Sequence, residues 1–152
     1  MTTAVREPKD TAIAFFDAYR RQDIEAMVDL CDDNADFRYV PAEGWLKQRV
    51  VRGKGKVRGV GKTYWTSLID AFPDLSNEVK SVSQDDDGNV ACEVVIGGTQ
   101  EKDFGTIGCS GGKYAIPHLF LLHVNKSGLI DDIAGYWDGA EWFRQLGRVE
   151  VD

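Results

Sequence analysis

The stretch KYAIPHLFLLHV (113–124) is long, apolar and rich in residues that favour β-strands. GLIDDIAGYWD (128–138) follows it after a turn, and NEVKSVSQ (77–84) and NVACEVVIGGTQ (89–100) precede it with a similar composition. The second half of the chain is therefore predicted to form four strands.

Turn-forming residues separate these strands. Asp86-Asp87-Gly88-Asn89 joins the first two, and Asn125-Lys126-Ser127-Gly128 joins the last two. Such turns connect neighbouring antiparallel strands. The glycine-rich segment 101–113 is predicted to be a longer loop between the middle pair.

The first half of the chain is predicted to be helical. Three groups of apolar residues recur at helical spacing, which gives each helix one buried face. The groups are Ala12, Phe15, Phe16 and Tyr19; Ile24, Met27, Val28 and Cys31; and Trp65, Leu68, Ile69 and Phe72. Pro8 and Asp10 suit the start of the first helix, Asp23 suits the N-cap of the second, and Pro73 ends the third.

Helices followed by a series of long strands predict an α+β fold and not a βαβ fold. ADFRYV (35–40) alternates like a strand that ends at Pro41, and a short helix, AEWFRQL (140–146), follows the last strand. No part of the chain indicates a parallel sheet. We expect one domain, residues 1–152, in which a curved antiparallel sheet with the helices packed on it encloses a cone-shaped space.

The charge and the cysteine content indicate which partners and which cellular compartment to expect. The 152 residues carry a net charge of -7, and an acidic surface repels nucleic acids and anionic membranes. Cys31, Cys92 and Cys109 are odd in number, which favours a reducing compartment. The N-terminus lacks the apolar core of a signal peptide, and no apolar run reaches about 18 residues. A cytoplasmic protein without nucleic-acid or membrane partners is expected.

The segment GKVRGVGKT (55–63) ends like a phosphate-binding loop, which requires Gly-x-x-x-x-Gly-Lys-Ser/Thr between a buried strand and a helix. Counting back from Gly61 places Lys56, not glycine, at the first position. A solvated basic loop, 47–62, is the better interpretation. Its positive charge could also steer an anionic substrate to a cavity.

Several segments together resemble the SnoaL-like polyketide cyclases and ester cyclases of the nuclear transport factor 2-like superfamily. They are AFFDAYRRQDIEAMVDLCDDNADF (14–37), WTSLIDAFPDL (65–75), GGTQEKDFGTIGCSGGKYAIPHLFLLHV (97–124) and GLIDDIAGYWDGAEWFRQLG (128–147). The resemblance implies an α+β cone with a deep apolar pocket, a homodimer formed through the sheet, and neither metal nor organic cofactor. It also implies ring closure by an aldol step, with relatives that isomerise steroids, open epoxides or only bind molecules.

One position departs from the cyclases. Their general acid/base aspartate lies on the last strand, three residues before a second aspartate. Alignment on Asp138 and Gln145-Leu146-Gly147 places that position at Gly135, which has no acid or base. Either another group does the work, or the pocket is not catalytic.

His118 is the best remaining catalytic candidate, because an imidazole in an apolar cavity can accept a proton near neutral pH. A core histidine with a backbone partner is the alternative. Asp138 matches the second family aspartate, but Asp138-Gly139-Ala140-Glu141 also reads as a helix N-cap, which we favour. Glu93 is a base only if its side chain faces the cavity, and His123 is predicted to lie on the surface near a turn.

A hydrophobic substrate or ligand would contact a set of mostly aromatic residues, among which alternation puts Ile133, Gly135 and Trp137 on one face of the last strand. These are Tyr39, Trp65, Phe120, Ile133, Gly135, Tyr136, Trp137 and Trp142, for each of which plain packing is the alternative. Gly135 could leave room for a bulky ligand or for Trp137 to turn in.

Three functions follow from these features. The leading one is a cyclase or isomerase that acts on a hydrophobic carbonyl compound. The second is a non-catalytic pocket that binds such a compound, and the third is a dimeric protein-interaction module. Polar groups converging on an apolar cavity would favour the enzyme.

Overall fold

The computed structural model describes residues 6–40, 54–105 and 107–147. Helices α1 and α2 are followed by two strands, a π-helical turn, helix α3, four strands and helix α4. Their bounds are α1 Pro8–Arg20, α2 Ile24–Asp29, β1 Cys31–Val40, β2 Lys54–Lys56, the π-helical turn Val57–Gly61, α3 Lys62–Ala71, β3 Ser76–Gln84, β4 Asn89–Thr99, β5 Lys113–Val124, β6 Ile130–Trp137 and α4 Gly139–Gln145.

The six strands form one curved sheet in the order β2-β1-β6-β5-β4-β3, whose edge strands β2 and β3 do not meet. The α+β fold class is confirmed. Every neighbouring pair is antiparallel except β1 and β6, which run parallel. The prediction of an all-antiparallel sheet without parallel pairing is therefore wrong at this pair. A short turn fixes the relative direction of the two strands it joins, but β1 and β6 lie far apart in the chain.

The helices bury the predicted apolar faces. On α1, Phe15 and Phe16 are fully buried, and Phe16 meets Phe120 of β5 edge to face with ring centroids 5.1 Å apart. The carboxylate of Asp23 caps α2 by accepting the Ala26 N–H at 3.0 Å. Cys31 is the exception, because α2 ends at Asp29 and Cys31 is the first residue of β1. It remains buried in its new place.

Strand β5 alternates as predicted and divides the sheet into two faces. The buried face carries Tyr114, Ile116, His118, Phe120 and Leu122. On the opposite face of β5, Leu119 and Leu121 are 40% and 42% exposed. The sheet therefore has a packed inner face under the helices and a partly apolar outer face.

The segment that resembles a phosphate-binding loop has a different structure. Strand β2 is an antiparallel edge strand, and the chain passes from it through the π-helical turn directly into α3. Gly61 has helical backbone angles, φ -60° and ψ -52°. The segment is therefore an edge strand that runs into a helix.

Three basic side chains of this segment are paired with acidic ones. Lys56 Nζ lies 2.8 Å from Asp36 Oδ1, Arg58 Nη2 lies 3.0 Å from Asp33 Oδ1, and Lys62 Nζ lies 2.5 Å from Glu25 Oε1. The pairs neutralise part of the positive charge that could steer an anion. The rest of the predicted basic loop, 47–53, lies outside the described residues.

Candidate functional site

A small aromatic cavity lies between the inner face of the sheet and helices α1, α3 and α4. The cavity has a free volume of about 10 Å³, which is room for roughly one water molecule. Nine residues line it: Tyr19, Tyr39, Tyr64, Leu68, Ile96, Tyr114, His118, Trp137 and Trp142. None of these nine carries a formal charge at neutral pH, so the wall is aromatic and uncharged with several polar tips.

His118 is held in this wall by a backbone hydrogen bond and two stacked rings. Its Nδ1 lies 2.9 Å from the carbonyl oxygen of Ile116. A carbonyl can only accept, so Nδ1 carries the proton and Nε2 has the free lone pair. The imidazole stacks on Trp137, with ring centroids 5.5 Å apart and planes 4° apart, and on Phe120 at 5.7 Å and 9°.

Burial also sets the protonation state of His118. Only 8% of the residue is exposed, and loss of solvent disfavours the imidazolium form. Desolvation lowers the pKa of His118 to about 4, against a smaller opposing effect of the hydrogen bond to Ile116. The side chain is therefore a neutral imidazole near pH 7.

Tyr39 contributes a hydroxyl to the same cavity. Its oxygen accepts a hydrogen bond from Trp65 Nε1 at 3.3 Å, so its own O–H proton can be donated elsewhere. Burial raises the pKa of Tyr39 to about 12, and the nearby polar groups of Trp65 and Tyr19 act in the opposite direction. Tyr39 thus stays a hydrogen-bond donor at neutral pH.

Gly135 lies behind Tyr39 and does not line the cavity. A Cβ at this position would come within 2.7 Å of Cδ1 and Cε1 of Tyr39 and 2.9 Å of Cε1 of Phe120. Real Cβ atoms do not approach other atoms so closely. The interpretation that Gly135 leaves room for a ligand is therefore wrong, because two of the chain's own rings occupy that room.

Asp138 is an N-cap. Its Oδ1 accepts the backbone N–H of Glu141 at 3.0 Å at the start of α4, and the residue is exposed outside the cavity. The glutamate of the predicted capping box does not reach back, because the Glu141 carboxylate pairs with Arg144 and Gln145 instead. The cap interpretation is confirmed, and the structure does not bring Asp138 to the cavity.

The other predicted residues divide between the core and the outer surface. Trp65, Phe120 and Ile133 are fully buried in the core and do not line the cavity, whereas Tyr136 is 37% exposed and points away from it. Glu93 is exposed and accepts a hydrogen bond from Ser81 Oγ at 2.9 Å. Of the residues proposed for catalysis or the pocket, the structure brings His118, Tyr39, Trp137 and Trp142 together around the cavity.

Tyr19, Tyr64 and Tyr114 also line the cavity and were not among the predicted pocket residues. Burial is the largest cause that raises the pKa of each of them, so all three are neutral hydroxyls near pH 7. A signal was present for two of them. Tyr114 shares the alternating face of His118, and Tyr19 lies in the apolar stripe of α1. A tyrosine inside an apolar face places a hydroxyl in the interior.

Three polar atoms of the cavity residues are buried without a hydrogen-bond partner: the Tyr19 hydroxyl, Trp137 Nε1 and Trp142 Nε1. Tyr39 lies close enough to Tyr19, and Tyr114 to Trp142, to perturb a pKa. Neither pair reaches the geometry of a hydrogen bond. The residues that line the cavity therefore include two indole N–H groups and one hydroxyl without a hydrogen-bond partner.

Within the described ranges, no group of three or more His, Cys, Asp and Glu side chains is placed to hold a metal ion. Among the helices of those same ranges, none is long and apolar enough to cross a membrane.

An open curved sheet with helices packed on it is a fold that this chain shares with solved nuclear transport factor 2-like domains. One such domain, from Cytophaga hutchinsonii, superimposes with a TM-score of 0.61 at 16% identity, covering 94% of this chain and 99% of that one. Within this architecture the chain belongs to the SnoaL-like domain family, whose model matches residues 12–133. The predicted family is thereby confirmed.

Several other solved structures share the fold at low sequence identity. AclR from Streptomyces galilaeus, a proposed hydroxylase, has a TM-score of 0.76 and 17% identity over 97% of this chain and 100% of its own. IdmH from Streptomyces antibioticus, a proposed polyketide cyclase, has a TM-score of 0.74 and 23% identity, and the match covers 93% of this chain and 99% of IdmH. A proposed SnoaL-like polyketide cyclase from Jannaschia sp. CCS1 has a TM-score of 0.76 and 14% identity, and the match covers 99% of this chain and 98% of that one. No curated protein matches the chain in sequence.

Proposed function

We propose that this protein is a small-molecule enzyme that uses acid–base chemistry to cyclise or isomerise a hydrophobic carbonyl compound. The observation that carries the proposal is the neutral, buried imidazole of His118, a residue that lines a cavity whose other lining residues include several hydrogen-bond donors. The names of similar structures, which include proposed polyketide cyclases, support the same class of reaction.

The chemistry needs a base beside an acidic C–H and donors beside the oxygen that becomes negative. His118 Nε2 is the base, and it accepts the proton from the carbon next to the carbonyl group. The Tyr39 O–H is available to donate to the enolate oxygen. Because His118 is unprotonated at neutral pH, it can accept the proton, and a new negative charge nearby stabilises the imidazolium as it forms.

A non-catalytic binding protein is the second candidate. It is favoured by the packing around Gly135, which has no carboxylate and no space for one. A base whose pKa lies near 4 in the empty site is also a weak base. The two candidates share the same ligand class and differ only in whether the C–H bond breaks.

Exchange of C–H protons for deuterium distinguishes them. The protein is incubated in D2O with a panel of aryl ketones, acetophenone among them, and loss of the protons next to the carbonyl is followed by NMR. The wild type is expected to accelerate exchange, and His118→Gln to reduce the rate by about 10²-fold or more. His123→Gln is the matched control, because His123 is hydrogen-bonded to Asp131 and Asp87 and does not line the cavity. Binding without acceleration would support the second candidate.

A homodimer formed through the outer face of the sheet is part of this proposal. Leu119, Leu121 and Tyr136 are exposed there beside Pro117, and apolar patches of this kind mark interaction sites. Leu121→Lys should shift the mass measured by light scattering to that of a monomer. Ile13→Lys, at an exposed apolar position on α1, is the control that should leave the mass unchanged.

A cytoplasmic location, without nucleic-acid or membrane partners, is also part of this proposal. All three cysteines are free thiols in the structure, in agreement with a reducing compartment. The net charge of -7 opposes binding to polyanions. Co-purification followed by measurement of bound nucleic acid and lipid would test these expectations.

A further inference from the structure

Three buried polar atoms on the wall of the inner cavity belong to three different elements. The Tyr19 hydroxyl is on α1, Trp137 Nε1 on β6 and Trp142 Nε1 on α4. Tyr19 and Trp142 are only 2% and 4% exposed, and no group in the described part of the chain forms a hydrogen bond with any of the three atoms. Folded proteins rarely leave buried polar groups unsatisfied. Three of them around one cavity therefore indicate that a molecule held in the cavity is their partner.

The size of the cavity restricts that molecule. Its free volume is about 10 Å³, close to the smallest volume that holds one water. A buried water also needs roughly two to four polar partners, and the three unpartnered atoms fall within that number. In size and in the number of partners, the cavity fits one water molecule.

The chemistry of the three atoms also fits water. An indole N–H donates and never accepts, whereas a tyrosine hydroxyl can accept as well as donate. The molecule in the cavity must therefore accept from Trp137 and Trp142, and it can donate to Tyr19. Water does both, because it has two lone pairs and two protons. A halide ion can only accept, and none of the nine lining residues carries a charge at neutral pH that would compensate for its burial.

Two pairs of side chains around the cavity are close together without a direct hydrogen bond. Burial raises the pKa of Tyr19 most, and Tyr39 adds to this effect from nearby. Burial likewise raises the pKa of Tyr114 most, and Trp142 opposes it from nearby. Neither pair reaches the geometry of a hydrogen bond. An ordered water can bridge polar groups that are just beyond direct reach, and all four residues line the same cavity.

We propose that the inner cavity is a hydration site for one ordered water, which accepts hydrogen bonds from Trp137 and Trp142 and donates one to the Tyr19 hydroxyl. The water joins α1, β6 and α4 through a single polar centre. This inference goes beyond the proposed function and does not depend on it, because the water belongs to the resting protein whether or not a reaction follows. Any ligand that enters the cavity must displace this water.

A high-resolution crystal structure tests the site directly. One water peak is expected within about 2.7–3.2 Å of both indole nitrogens and within about 2.5–3.0 Å of the Tyr19 hydroxyl oxygen. Crystals soaked in sodium bromide separate water from an anion, because bromide gives an anomalous signal and water does not. No bromide peak is expected in the cavity.

Oxygen-17 relaxation dispersion makes the test in solution, because it counts the waters that stay bound long enough to tumble with the protein. Leu68→Phe enlarges a buried lining residue on α3. It should lower the count by one water per chain, because the larger ring fills the cavity. Ile13→Phe, at an exposed position on α1, is the matched control and should leave the count unchanged. Tyr19→Phe keeps both indole donors and removes the acceptor, so the water should exchange faster with bulk solvent.

A cavity without water density would overturn the inference, as would a bromide peak there or a water bonded to only one of the two indoles. An unchanged count in folded Leu68→Phe, or an unchanged exchange rate in Tyr19→Phe, would contradict it in solution. Should Leu68→Phe fail to fold, the wild-type crystal structure and the Tyr19→Phe exchange rate still decide. The deuterium assay is independent of these results. A dry cavity refutes only the hydration site, whereas failure to accelerate C–H exchange refutes only the enzyme.

Discussion

Gly135 of β6 and Tyr39 of β1 are register partners in the parallel pair, and the Tyr39 ring lies where a side chain on Gly135 would begin. A carboxylate side chain at position 135 would need the volume that Tyr39 fills. The absence of the carboxylate and the inward position of Tyr39 are therefore one structural feature. At this place in the fold the chain has the phenol hydroxyl of Tyr39 and no carboxylate.

Gly135→Ala should lower the free energy of unfolding by about 1–3 kcal/mol, because the added methyl group overpacks the core. Chemical denaturation measures this. Gly59→Ala is the matched control, since nothing lies within 4 Å of a Cβ built there, and it should not destabilise the protein. Tyr39→Ala in the same chain should reduce the effect of Gly135→Ala, and strict additivity of the two changes would contradict the close approach.

Asp138→Ala should cost about 1 kcal/mol of stability, because α4 loses the acceptor for the Glu141 N–H. Asp138→Asn, which keeps a capping oxygen, should lose much less. Neither variant should change turnover in the exchange assay. A stable Asp138→Ala variant without turnover would instead give the carboxylate a catalytic role.

The stability of the protein should depend on pH through His118. Its folded pKa, about 4, lies below its ordinary value of 6.5, so the unfolded chain binds more protons between these values and stability rises with pH across this window. The difference corresponds to about 3 kcal/mol at full effect. His118→Gln should flatten the melting temperature between pH 4 and 6.5. An unchanged slope in that variant would refute a buried neutral imidazole.

His123 should act in the opposite direction. Its Nδ1 lies 2.6 Å from Asp131 Oδ1 and its Nε2 lies 2.9 Å from the Asp87 carbonyl oxygen, so both nitrogens face acceptors. The hydrogen bond to Asp131 raises the pKa of His123 most, against partial desolvation. The stabilisation is present below about pH 6.5 and is lost as pH rises through the folded pKa. The melting temperatures of the wild type and His123→Gln should therefore differ more at pH 6 than at pH 9.

The faces of the strands could be predicted from the sequence because alternation depends only on local residues. Alternation therefore predicts that His118, Phe120 and Leu122 share one face of β5, and the caps at Asp23 and Asp138 follow from equally local rules. The direction of β1 relative to β6 has no local signal. The contact between Tyr39 and Gly135 depends on the register of those two distant strands, so it could not be predicted.

The cavity shows the same limit. Tyr64 on α3 and Tyr19 on α1 meet at it only because two helices pack on the sheet at particular angles. Helical periodicity shows that a residue points inward, but not which inward residues share a void. The lack of hydrogen-bond partners for the N–H groups of Trp137 and Trp142 likewise could not be predicted from the sequence, because it depends on how the surrounding atoms pack.

The parallel pairing of β1 with β6 has a consequence for how the chain folds. Strands β3, β4 and β5 are neighbours in sequence as well as in the sheet, whereas β1 can complete its parallel pair only after β6 has been synthesised. Long-range contacts pay a larger loop-closure entropy and form later than local ones. During synthesis, β1 therefore cannot form this parallel pair until the last strand has left the ribosome. Pulsed hydrogen exchange during refolding should protect the amides of β4 and β5 before those of β1, and simultaneous protection would contradict this order.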